Sequence, residues 1–100
     1  MTGLTGAGWF FCAAHRDPVR KELHGHSYEV MAWWPLREGH DACFLQDLLK
    51  QALVGIDHTT LPDEFTRAED IARLIGSKLP GAIRIDISRP IERIACEVWL

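Results

Sequence analysis

Three histidines in this chain have the residue type and the spacing to hold a metal ion. They are His15 and the pair His24 and His26, nine and eleven residues further on. Successive side chains of a β-strand point to opposite faces, so His24 and His26 share one face if Leu23-His24-Gly25-His26-Ser27-Tyr28 is a strand. Gly25 between them carries no side chain and leaves room for backbone or ligand to approach. His15 ends another strand-like run, Trp9-Phe10-Phe11-Cys12-Ala13-Ala14, and can meet the pair across a sheet. Three neutral imidazoles with no neighbouring fourth protein ligand describe an open zinc site, whose free position takes water or substrate. By spacing alone the same residues also read as a surface histidine pair with an unrelated third.

The elements that would position these residues follow from periodicity. Met1 to Ala7 is rich in glycine and threonine and reads as loose chain or a strand lead-in. Gly8 to His15 reads as a strand, with Trp9, Phe11, Ala13 and His15 on one side and Phe10, Cys12 and Ala14 on the other. Arg16-Asp17-Pro18 breaks it, because proline lacks a ladder donor and restricts the residue before it. A second strand runs from Leu23 to about Trp34. Its even-numbered side (His24, His26, Tyr28, Val30, Ala32, Trp34) carries the candidate ligands. Pro35 and Arg37-Glu38-Gly39-His40 end it.

From Asp41 the period changes: Leu45, Leu48, Leu49, Ala52, Leu53 and Ile56 recur at three and four residues, an amphipathic helix with Asp41 as N-cap and Gly55 near its end. Asp57-His58-Thr59-Thr60 falls in the loop that follows. Ala68, Ile71, Ala72, Ile75 and Leu79 form the stripe of a second helix, with Thr66 and Glu69 as a capping box and Leu79-Pro80-Gly81 as its stop. Ile83, Ile85 and Ile87 alternate with Arg84 and Asp86 as a half-buried strand. Ser88-Arg89-Pro90 turns the chain, and Ile91 to Leu100 reads as the last strand. The order ββααββ predicts an α+β fold over residues 1–100: one domain, a four-stranded antiparallel sheet with both helices on one face. Such a sheet leaves its edges in need of cover.

Composition narrows the function classes. One hundred residues suffice for one modest core, and 47% hydrophobic with 25% charged residues is the balance of an ordinary globular domain. A net charge of −3 and a pI near 5.9 carry no electrostatic footprint for nucleic acid. Cys12, Cys43 and Cys96 form no C-x-x-C pair and read as reduced thiols. The N-terminus has no basic region, and its apolar run stops at His15, so we expect no signal peptide, no membrane span and a cytoplasmic protein. Four tryptophans are many for this length and suggest subunit contacts.

Phe11-Cys12-Ala13-Ala14-His15, Leu23-His24-Gly25-His26-Ser27-Tyr28 and Ile56-Asp57-His58-Thr59-Thr60-Leu61 together resemble the 6-pyruvoyl-tetrahydropterin synthase family, which includes the 6-carboxytetrahydropterin synthases of the queuosine pathway. Its signature reads F-x-A-A-H, L-H-G-H-x-Y and L-D-H-x-x-L in this order, and the interval from Asp41 to Asp57 also suits it. The resemblance implies a T-fold whose subunits join sheet edges in threes to close a barrel, two rings commonly stacking, with active sites between subunits. It implies Zn2+ held by His15, His24 and His26, and Asp57 with His58 as the catalytic proton-relay pair. The implied substrate is a pterin such as dihydroneopterin triphosphate, and the implied assembly is a trimer-based homo-oligomer, up to a hexamer.

Two positions depart from that pattern. Where the family has its cysteine base, four residues before His24, this chain has Arg20, and a guanidinium is no general base near neutral pH. Glu22 is the nearest carboxylate and reads either as a substitute or as a solvated charge beside Lys21; Cys12 points to the face opposite His15. Where the family anchors the pterin with glutamate and then threonine, the chain has Ile87 and Ser88. Isoleucine accepts no hydrogen bond. Asp86 lies on the side opposite the isoleucines, and Glu69 has a capping role. The expected function is a zinc-dependent lyase of the 6-carboxytetrahydropterin synthase type. The alternative is a divergent relative that binds zinc and a pterin-like ligand without lyase activity.

Overall fold

The computed structural model describes residues 3–17, 19, 21–37, 40–65 and 67–100. Pro18, Arg20, Glu38, Gly39 and Thr66, to which the sequence assigns a break, a base position, a strand end and a cap, lie outside the described residues. The elements are β1 (Leu4–Arg16), β2 (Leu23–Pro35), α1 (Ala42–Leu53), β3 (Thr59–Thr60), α2 (Ala68–Ser77), β4 (Arg84–Arg89) and β5 (Ile94–Trp99). They build one α+β layer, a sheet of order β3-β1-β2-β4-β5. The expected ββααββ order holds, with one strand more than expected. Thr59 and Thr60, read as loop, pair in parallel with Ala13 and Ala14 and bring the segment after α1 onto β1.

β1 and β2 are an antiparallel ladder from Leu4↔Pro35 to Arg16↔Leu23, which sets His15 opposite His24 and Ala13 opposite His26. β1 starts earlier than its sequence pattern suggests. Gly6 and Gly8 lie opposite Trp33 and Met31, whose side chains fill the space over the glycines: a Cβ on Gly6 would sit 2.7 Å from the Trp33 ring. The glycines weaken the local strand signal but accept large cross-strand side chains, which hold the ladder together there.

The odd side of β1 (Phe11, Ala13) and the even side of β2 (Tyr28, Val30, Ala32, Trp34) form the core with Ile85 and Ile87 of β4 and Val98 of β5. Leu45, Leu49, Ala52 and Leu53 of α1 and Ile71, Ala72 and Ile75 of α2 cover that face, so both helices lie on one side. Each such valine, leucine, isoleucine or phenylalanine side chain contributes about 1.5–3 kcal/mol by burial. Asp41 caps α1 as expected, accepting a hydrogen bond from the Cys43 N–H at 2.8 Å. α2 differs from its expected start. Its N-cap is Arg67, without a side-chain cap bond, and Glu69 pairs with Arg67 and Arg73.

The β4–β5 connection also differs. Ser88 and Arg89, read as turn, pair with Ala95 and Ile94, and the turn is made by Pro90 to Arg93. Arg93 takes a left-handed φ of 59° and its N–H donates to the Pro90 carbonyl at 3.3 Å. This longer hairpin carries Arg89 and Glu92 to the end of the sheet where the histidines stand. Among the described residues, no helix is long and apolar enough to cross a membrane.

Candidate metal centre

His15, His24 and His26 meet because a period-two strand places two of them on one face and the β1–β2 register brings the third opposite. His15 Nε2 lies 2.9 Å from His24 Nε2 and 3.1 Å from His26 Nε2. The rings stand edge-on, at interplanar angles of 81°, 72° and 80°. A tetrahedral ion with bonds of about 2.0–2.1 Å keeps its nitrogen ligands about 3.3 Å apart, close to these separations. Neutral imidazole has one N–H and one lone pair, so three Nε2 atoms converging on one point satisfy each other poorly by hydrogen bonding. They suit a shared cation. His15 is 7% exposed, which keeps one ligand away from water. A Cβ on Gly25 would meet only the Ala13 carbonyl, at 3.7 Å, so the room left there opens outward.

The β4–β5 hairpin adds two groups that sequence reasoning missed, Arg89 at the end of β4 and Glu92 in the turn. The His26 Nδ1–H donates to Glu92 Oε1 at 2.9 Å, and Arg89 Nη1 donates to His26 Nε2 at 2.9 Å. Both bonds require the same tautomer, with the proton on Nδ1 and the lone pair on Nε2, the form that binds metal. The hydrogen bond from His26 is the main cause holding the Glu92 carboxyl below its ordinary pKa, against the opposing effect of burial. A carboxylate behind a ligating histidine fixes the ring and raises its basicity. We expect Glu92→Gln to weaken zinc binding by about 10–100-fold. Competition against a chromophoric chelator measures this, and an unchanged affinity would remove Glu92 from the site.

Asp57 and His58 are joined as well. His58 Nδ1 lies 2.9 Å from Asp57 Oδ1, while the Cys12 N–H donates to that same carboxylate oxygen at 2.9 Å. The Cys12 hydrogen bond is the largest of the causes that depress the Asp57 pKa. The His58 N–H donates to the Cys12 carbonyl at 2.6 Å, and His58 holds a left-handed φ of 58°. A non-glycine residue in that region is uncommon and held by its surroundings, here by β1 on one side and β3 on the other. The His58 side chain is 80% exposed, and it borders a cavity of about 470 Å³ with Cys12, Thr59, His26 and Glu92. His26, at one end of the histidine cluster, and His58 therefore face one space, of a size usual for small-molecule sites.

Cys12 lies opposite Ser27, on the other sheet face from His15, as its spacing requires, yet its side of the strand also borders this cavity. Glu22 is exposed and is not among the cavity-lining residues. Ile87 is 1% exposed, packed in the core between Val30 and Cys96, and cannot anchor a polar ring. Asp86 faces the other side, where it accepts from Trp33 Nε1 and from the Arg84 guanidinium.

No protein-family model and no curated protein matches the chain. Among solved structures, the 6-pyruvoyl tetrahydropterin synthase of Caenorhabditis elegans matches with a TM-score of 0.76 at 18% identity, over 98% of this chain and 95% of that one. The resemblance in the motifs thus extends to the backbone, and the chain has the fold of a tetrahydropterin synthase.

Proposed function

We propose that the protein is a zinc-dependent lyase of the tetrahydropterin synthase kind, nearest the 6-carboxytetrahydropterin synthases, acting on a dihydroneopterin triphosphate-like substrate. The observation that carries this reading is the clustering of three imidazoles, one of which, His26, borders a cavity that His58 also lines. His15, His24 and His26 would hold the metal, and Glu92 would orient His26. A zinc ion there would supply a Lewis acid for a substrate oxygen. His58, tethered by Asp57 and by the Cys12 backbone, would move protons at the cavity wall. The experiment is to incubate the zinc-loaded protein with dihydroneopterin triphosphate and identify the products by mass spectrometry. Release of a 6-substituted tetrahydropterin is expected; unchanged substrate would overturn the lyase reading.

A second reading has its own observation. Ile87 is buried where the resembled family anchors its pterin, which favours a divergent protein that binds zinc and a pterin-like ligand without lyase activity. Zinc retained without turnover would select it.

We also propose a homo-oligomer built by sheet-edge pairing. β5 ends the sheet, and among the described residues β1 pairs with β3 only at Ala13 and Ala14, which leaves its Leu4–Phe11 stretch without a strand partner on that side. Phe10 at 60% and Trp99 at 59% exposure lie on these two strands. Open edges with apolar side chains invite pairing. Light scattering at micromolar concentration is expected to give a multiple of three chains, and a monomer would exclude edge pairing.

A further inference from the structure

A second cavity, of about 290 Å³, adjoins the histidine cluster and is lined by Tyr28, Arg67, Ala68, Arg89 and Ile94. Two residues link this cavity to the cluster: Arg89 lines it and also donates to His26 Nε2 at 2.9 Å, and Tyr28 lines it with its ring centroid 5.9 Å from that of His26. Tyr28 is 2% exposed, and its hydroxyl meets the Arg89 guanidinium.

The charge at Arg89 is poorly answered. Its hydrogen-bond partners are a neutral imidazole and a phenol, and among the described residues no carboxylate comes within ion-pair distance of it. Glu92 acts on it only from a distance, being bonded to the far nitrogen of His26. Arg67 is 76% exposed and contacts Glu69 with a single long bond of 3.4 Å, so most of its five N–H donors are unused by that pair. Two guanidinium groups therefore line one small cavity, and neither is neutralised by a bidentate carboxylate. Glu69 and Asp70, in the first turn of α2, are the nearby negative charges on the Arg67 side.

The metal reading sharpens the point. His26 Nε2 has one lone pair, and Arg89 uses it in this structure. If His26 ligates a metal, Arg89 must give up that acceptor. Its fork then needs another, within its own reach of both the centre and the second cavity.

We propose that this cavity is an oxyanion subsite, in which Arg89 and Arg67, with the Tyr28 hydroxyl at its base, take a phosphate or carboxylate group of the substrate handled at the histidine centre. The proposal rests on the metal-centre reading for the role of Arg89 but not for the presence of the two arginines. Phosphate suits it better than carboxylate, because two forks and a hydroxyl offer more donors than two oxygens can use, and a phosphate group presents three.

The test is calorimetric titration of inorganic phosphate, and separately of acetate, into the full chain as purified. Phosphate is expected to bind, with Arg67→Gln and Arg89→Gln each weakening it by about tenfold and Arg89→Lys by less. Because Arg67 is exposed, its variant tests the subsite even if Arg89→Gln fails to fold. His24→Ala should lose zinc and keep phosphate. Tighter binding of phosphate than acetate assigns a phosphate group, and the reverse order assigns a carboxylate. The subsite is refuted if wild type binds neither anion, or if both glutamine variants bind as wild type does. It is also refuted if phosphate disappears with zinc in His24→Ala, because the anion would then be only a metal ligand. A wild type that holds phosphate but no zinc would sink the metal centre alone.

Discussion

Zinc should leave the protein when His24 and His26 are both replaced by alanine, while the fold stays intact. A three-imidazole site has no ligand to spare, and the double variant leaves only His15 among the clustered nitrogens. Structural zinc in zinc-finger peptides is held by about 10–16 kcal/mol, and losing even about 4 kcal/mol of such a binding energy with two of three ligands is roughly a thousandfold in affinity. The fold should survive because neither side chain belongs to the apolar core. Both sit on β2 at the end of a long ladder, and the residues that bury β2 (Tyr28, Val30, Ala32, Trp34) lie further along the strand. His15 makes the poorer test, since it is 7% exposed and its removal would leave a hole as well as a missing ligand. Elemental analysis with a parallel thermal melt decides the matter. Full zinc content in a folded double variant would mean that the metal is held elsewhere.

The clustering of His15, His24 and His26 was legible in the sequence because it depends on local rules. Alternation alone puts His24 and His26 on one face, and the same rule puts Cys12 opposite His15 and buries Ile87. The capped start of α1 at Asp41 is equally local. What failed to show was set by partners far away in the chain. β3 is two threonines whose strand character comes wholly from parallel pairing with Ala13 and Ala14, and so short a run has no period. The early part of β1 is held by Trp33 and Met31 lying over Gly6 and Gly8, so its own residues read as loose. Glu92 and Arg89 touch His26 across 66 and 63 positions of sequence. The signal that could have found them was modest. Ser88 and Arg89 can continue a strand up to Pro90, which moves the turn and carries both charged residues to the histidine end of the sheet.

His58→Ala is expected to cost at least ~100-fold in turnover on any dihydroneopterin substrate while zinc stays bound. Proton transfer at the cavity needs a group that changes protonation near neutral pH, and His58 has both the chemistry and the placement. Its ring is tied to Asp57, and Asp57 is tied to the Cys12 N–H on β1, so the imidazole is held to the same strand that carries His15. Asp57 is depressed from its ordinary pKa, chiefly by that N–H, so it remains an anion throughout the range in which an imidazole titrates. It can therefore steady a positively charged His58 without itself losing charge as the pH falls toward 6. Cys12 supplies this anchorage through its backbone: its N–H holds Asp57 and its carbonyl accepts from the His58 N–H. Truncating the thiol in Cys12→Ala leaves both bonds in place and should change turnover little. The two variants thus separate a proton carrier from its support, with zinc content and melting temperature measured on each. If Cys12→Ala is as inactive as His58→Ala, with both folded and loaded, the thiol at the cavity wall is the acid–base group and the assignment to His58 falls.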